Sequence, residues 1–187
     1  MSHTEGHAES HAERHRRRAA AFGLLVEHVE DWSAPAPVPG WTAQDVVMHL
    51  VTWPAALLAS AGIDLPAVDS SPEKAWPAHA ARLQAVFDES PDLIVTGTPM
   101  GPQPVAALLD QIYTADVFLH SWDLARASGQ QPPLDEETCA AMLAGMAPIE
   151  GMLRESGQYG PAVPVAPERS AMDRLIGFIG RDPDWSP

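Results

Sequence analysis

The longest helical pattern in the chain runs from about Pro104 to Ser128, and it carries ionisable groups on an otherwise apolar stretch. Gly129 follows as a natural C-terminal stop. Among Val117, Phe118, Leu119 and Leu124 sit Asp116, His120 and Asp123. On a helix, Asp116 and His120 lie about 6 Å apart along the axis and about 40° apart around it, so both can reach one ion. Asp123, three residues after His120, shares their face. Burying such a face costs free energy unless each group finds a partner. A chain built around this helix must therefore supply other helices to cover it and other side chains to satisfy it.

The remaining segments read as helices separated by proline and glycine. Phe22, Leu25, Val26 and Val29 form an apolar stripe on a first helix reaching about residue 31, with a frayed polar start from Met1 to Glu13. Pro35, Pro37, Pro39 and Gly40 make a rigid connection. Thr42 is an N-cap, with Asp45 suited to the first turn of a helix that runs to about Ala61 and bends at Pro54. A third helix spans about Ala75 to Glu89, with Pro77 in its first turn. After the long helix, Asp135 opens a fifth, to about Pro148, and Ser170 to Ile179 form a short last one. Leu93 to Thr96 and Ala162 to Val165 are too short to found a sheet. The expected fold class is all-α: a four-helix bundle with additional C-terminal helices. Residues 1–14 are expected to be a mobile, histidine-containing extension and residues 15–187 a single domain.

Composition narrows the function classes. With 187 residues and 45% hydrophobic content, the chain can bury one sizeable core. It carries 25 acidic against 11 basic residues, a formal net charge of -14. Such a charge repels phosphate backbones and anionic lipid, so neither nucleic acid nor membrane is an expected partner. The single Cys139 permits no internal disulfide or cysteine zinc cage, and reads as a small core residue. The N-terminus is polar, and no apolar stretch is long enough to span a bilayer. The expected location is cytoplasmic.

One metal ion would satisfy the polar face of the long helix. Asp116 and His120 offer two ligands, and His49, set among Val46, Val47, Met48, Leu50 and Val51, is the natural third. Two imidazoles and a carboxylate suit zinc first, with nickel, iron or manganese close behind. Asp123 could then accept a hydrogen bond from a ligand histidine and orient it. From spacing alone a second reading stands beside this one: Asp116 and His120 as a surface pair, and His49 as a satisfied core histidine.

Pro39-Gly40-Trp41-Thr42, followed by Asp45 to Leu50, resembles the first motif of the DinB/YfiT-like superfamily. It is closer still to the actinobacterial branch grouped with mycothiol-dependent maleylpyruvate isomerase. The stretch from Asp116 through His120, Asp123 and Arg126 to Gly129 is similar to the second motif of that branch, and Asp173 to Pro183 resembles its tail. The resemblance implies a divalent metal held by His49, Asp116 and His120. In the isomerase the acid is Glu, one methylene longer than Asp116. The resemblance also implies use of mycothiol or a related small thiol, in a transferase or isomerase reaction on a small-molecule substrate. The isomerase carries a further C-terminal domain; here the part from about Asp135 is shorter and helical. The alternatives are a non-catalytic metal- or small-molecule-binding module, and a helical interaction protein with a decayed site that forms a homodimer through an apolar patch.

Other features weigh less. His3, His7, His11 and His15 repeat every four residues and would form an imidazole ladder on a helix, against the plainer reading of an exposed terminal extension. Trp53, one turn after His49, is a candidate pocket wall. Arg126, Arg154 and Arg181 are candidate anion holders, each set against a structural role. His28 and His79 have no motif around them.

Overall fold

Side chains of Ser10, Thr42, Asp135 and Ser170 cap the helices that follow them. The computed structural model describes residues 9–98 and 100–187. Its helices are α1 (His11–Glu27), α2 (Ala43–Thr52), α3 (Pro54–Ala59), α4 (Pro72–Glu89), α5 (Val105–Leu109), α6 (Ala115–Ala127), α7 (Glu136–Met146), α8 (Glu150–Glu155) and α9 (Ala171–Phe178). At α2 the Thr42 N–H donates to Asp45 Oδ2 (2.8 Å) while Asp45 N–H donates to Thr42 Oγ1 (3.3 Å), a reciprocal cap. Asp135 caps α7 by accepting from Thr138 N–H, and Ser170 caps α9 by accepting from Asp173 N–H. Gly129 has φ +68° and closes α6, with Gln130 N–H donating to the Ala125 carbonyl. Among the described residues the fold is all-α apart from an isolated bridge between Pro35 and Thr42 and one antiparallel pair, β1 (Ile94–Val95) with β2 (Gln103–Pro104). No helix among the described residues is long and apolar enough to cross a membrane.

The chain sorts into two units. The first comprises the described residues up to Glu27 together with Val47–Phe118. Here α1 packs along α4. The contact stripe on α1 is His15, Ala19, Phe22, Leu25 and Val26, at helical spacing, and Phe22 meets Trp76 with ring centroids 4.3 Å apart. Leu50, Leu58, Leu83, Leu108 and Leu109 are fully buried. The second unit comprises His28–Val46 and Leu119–Pro187. In it α7 packs on α9, and Cys139, Leu175 and Ile176 are fully buried.

Several elements differ from the sequence reading. The first helix stops at Glu27, short of residue 31. The chain beyond it is committed elsewhere: Asp31 Oδ1 accepts from Ser33, and the Trp32 and Ala34 carbonyls accept from Gln44 and Ala43. The helix expected at Ala75 begins three residues earlier, with Pro72 at its first position, so Pro77 stands inside α4. The second helix is interrupted at Trp53, as Pro54 requires. The long helix is not α-helical throughout. Asp110–Thr114 form a π-helical turn between α5 and α6. The expected fifth helix is α-helical to Met146; a short 3-10 turn, Ala147–Ile149, carries it to its expected end, and α8 follows beyond it.

The π turn brings Tyr113 into the first unit's core. Its ring lies 6.0 Å from that of His15, 5.7 Å from His79 and 5.9 Å from Trp53, between centroids. Of the four-residue ladder, His11 and His15 lie on α1 and turn to separate partners. His15 is buried with Nδ1 on Gln84 Oε1 (2.8 Å), and His11 pairs with Asp110 (2.7 Å). His3 and His7 lie outside the described residues.

Two predictions follow from these contacts. Val163 N–H donates to the Gly177 carbonyl, and a Cβ on Gly177 would stand 2.7 Å from the Val163 carbonyl oxygen and closer still to Val165. Gly177→Ala should therefore lower the unfolding free energy by about 1–3 kcal/mol in urea titrations, the usual cost of overpacking. Burial, reinforced by neighbouring His15, pushes the His79 pKa down to about 4. The unfolded chain then binds that proton first as the pH falls. The stability from a neutral His79 is whole above about pH 6.5 and is lost toward about pH 4, by about 1.4 kcal/mol per pH unit at most. Urea titrations across this window should show a shallower decline for His79→Leu than for wild type.

Candidate metal centre

His49 stands in the last turn of α2, on a helix whose Val46, Val47, Leu50 and Val51 are buried. Its Nε2 lies 3.1 Å from Asp116 Oδ2. Trp53, four residues on, donates its indole N–H to the same oxygen at 3.0 Å. Trp53 therefore stands beside the carboxylate, as expected of a residue lining the site, and its ring centroid is 6.4 Å from that of His49. The His49 and Asp116 side chains are half-buried, 32% and 24% exposed. Beneath them Tyr113 is fully buried. Burial, with the Asp116 charge behind it, holds its phenol well above the usual range and so neutral.

His120 follows Asp116 by one turn of α6 and is buried. Its Nδ1 lies 2.8 Å from Asp123 Oδ2. Its ring stacks on Trp41, with centroids 5.7 Å apart and planes inclined by 16°. Asp123 is buried too, and receives two N–H groups of Arg181, at 3.3 Å on Oδ1 and 3.2 Å on Oδ2.

His49, Asp116 and His120 each offer one donor atom, and these atoms lie within 4.8 Å of one another. Two ligands of a tetrahedral zinc ion stand about 3.3 Å apart. The 3.1 Å between His49 and Asp116 therefore serves a hydrogen bond or a shared ion equally well. The chemistry of the set, two imidazoles and a carboxylate, suits a borderline divalent ion.

The remaining sequence candidates separate. Arg126 Nε donates to the Trp185 carbonyl (3.1 Å), and Arg154 holds the Phe178 and Gly160 carbonyls, so both have structural partners. Arg181 is the arginine that reaches the site's surroundings, through a carboxylate of this chain. Trp41 and Arg181 were not singled out as neighbours of His120 by sequence reasoning. Both lie far from it along the chain, and no local spacing links them to it. Cys139 is a buried thiol outside any disulfide.

Comparison with known proteins finds relatives over most of the chain. The chain is 30% identical over 178 residues to Rv0738 of Mycobacterium tuberculosis strain ATCC 25618 / H37Rv, a match covering 89% of this chain and 94% of the relative. The same figures hold for MT0763 of Mycobacterium tuberculosis strain CDC 1551 / Oshkosh. No solved structure matches the chain. The family model described as the mycothiol maleylpyruvate isomerase N-terminal domain matches residues 12–73, which include His49, α2, α3 and all of α1 but its first residue. By this match and these relatives, the chain belongs to the mycothiol maleylpyruvate isomerase N-terminal domain family.

Proposed function

We propose that this protein binds one divalent metal ion through His49, Asp116 and His120, and uses it in a transferase or isomerase reaction of a low-molecular-weight thiol such as mycothiol. The observation that carries the reading is the convergence of those three donor atoms within 4.8 Å. The family description supplies the thiol. Zinc is the first choice for the ion, with nickel, iron or manganese as fits for the same donors.

Three protein ligands are the number found where a metal keeps a position for substrate. When bound, the ion would lower the pKa of a thiol or water that it meets. The chain's own residues do the rest. Asp116, held by the Trp53 indole, keeps its carboxylate turned toward His49. His49 and Asp116 stay partly exposed, which gives a small molecule its approach, while His120 is buried. Cys139 is buried, so a thiol reaching this centre comes from a small molecule.

The test is elemental analysis of the full chain carrying His3→Ala, His7→Ala and His11→Ala, which removes stray imidazoles but keeps the buried His15. About one zinc, nickel, iron or manganese per chain is expected, and His49→Ala or His120→Ala should each abolish it. Folded variants that keep their full metal would rule out this site. With cobalt in the site, mycothiol should change the visible spectrum. A chain that takes up no metal after reconstitution would point instead to an interaction protein.

A further inference from the structure

Asp123 is an ionisable side chain with 1% of its surface exposed, on a helix that already carries Asp116 and His120. Its two oxygens are fully engaged. Oδ2 meets His120 Nδ1 at 2.8 Å and Arg181 Nη2 at 3.2 Å, and Oδ1 meets Arg181 Nε at 3.3 Å. An ionised carboxylate can only accept, so the His120 nitrogen facing it must donate. The proton of a neutral His120 then sits on Nδ1, which leaves Nε2 as the electron-pair donor. The ring is also clamped flat by Trp41.

The arrival of Arg181 at this place is built into the backbone. Gly180 takes φ +89° at the end of α9, and Arg181 N–H donates back to the Ile176 carbonyl at 3.0 Å. A residue with a Cβ does not suit that conformation, and space is short as well: a Cβ there would stand 3.0 Å from the Pro161 carbonyl oxygen. The guanidinium is fixed on a second side, because Nη1 donates to the Ile179 carbonyl at 3.1 Å. It therefore reaches Asp123 with its fork already aimed.

We propose that Asp123 and Arg181 are positioning residues for His120: two successive hydrogen-bonded contacts hold the ring in one tautomer and one orientation, with Nε2 presented to the ion. Arg181 balances the buried charge of Asp123 and fixes the carboxylate in place. Asp123 in turn fixes the imidazole. The turn after α9 is by this route a working part of the centre. The inference rests on the metal reading for its affinity readout alone; the tautomer is a property of the metal-free protein.

Arg181→Met and Asp123→Ala should each weaken zinc binding by about 10–100-fold, as loss of such outer partners does elsewhere. Arg181→Lys restores the charge without the fork and should recover part of that loss. Arg154→Met serves as the comparator. It releases the Phe178 and Gly160 carbonyls, loosening the same C-terminal region, and should leave zinc affinity unchanged. In metal-free protein, nitrogen-15 NMR of His120 should show a proton on Nδ1 in wild type and a mixture of tautomers in Arg181→Met. The proposal is overturned if folded Arg181→Met keeps wild-type affinity and the wild-type tautomer. It is equally overturned if Arg154→Met loses as much affinity as Arg181→Met. Should the wild type bind no zinc, the metal reading fails while the NMR comparison still decides this one.

Discussion

The polar face of α6 sets the terms for much of what surrounds it. Leaving one buried polar group without a partner costs about 1–3 kcal/mol, and more for a charge. A whole domain is stable by only about 5–15 kcal/mol. A helix carrying Asp116, His120, Asp123 and Arg126 could exhaust that margin alone. Each instead meets a group from a distant stretch of chain. Trp53 and His49 serve Asp116, Trp41 covers His120, Arg181 holds Asp123, and the Trp185 carbonyl takes Arg126. The Pro39-Gly40 connection, the break before Pro54 and the tight turn at Gly180 are the local shapes that deliver these partners. Apolar stripes bury the helices, but the polar pairs select which surfaces meet.

Much of this was legible in the sequence because it is local. Caps at Thr42, Asp135 and Ser170 and the stop at Gly129 follow from side chains that bond their own backbone within four residues. The Asp116–His120 spacing is equally local, and His49 stood out as a histidine on an apolar face. The misses share a different cause. The early end of α1 depends on backbone pairing of Trp32 and Ala34 with residues ten or so further on. The role of Arg181 depends on contact with Asp123, 58 residues away. Gly177, Pro77 and the π turn at Asp110–Thr114 are choices settled by packing, which no periodicity records.

The placement of sulfur matters to the chemistry that such a centre could host. The one cysteine of the chain is sealed within the second unit, away from solvent. A reactive thiol of the protein's own near a thiol-binding metal would compete for the same ion and invite mixed disulfides. With Cys139 buried, the chain offers little of either hazard to a small thiol of the kind proposed.

The π turn has an evolutionary corollary. Such a turn is one residue more than an α-helix needs, and it lies immediately upstream of Asp116. Losing a single codon between Asp110 and Thr114 would let the helix wind regularly from Val105 onward. Because the wide turn has already absorbed the extra residue, everything beyond would keep nearly its present orientation relative to α5. Asp116 would still face the Trp53 indole and His49. The same loss between Asp116 and His120, where α6 has no wide turn to take it up, would swing His120 by about 100° from the face it shares with Asp116, although every residue of the set survived.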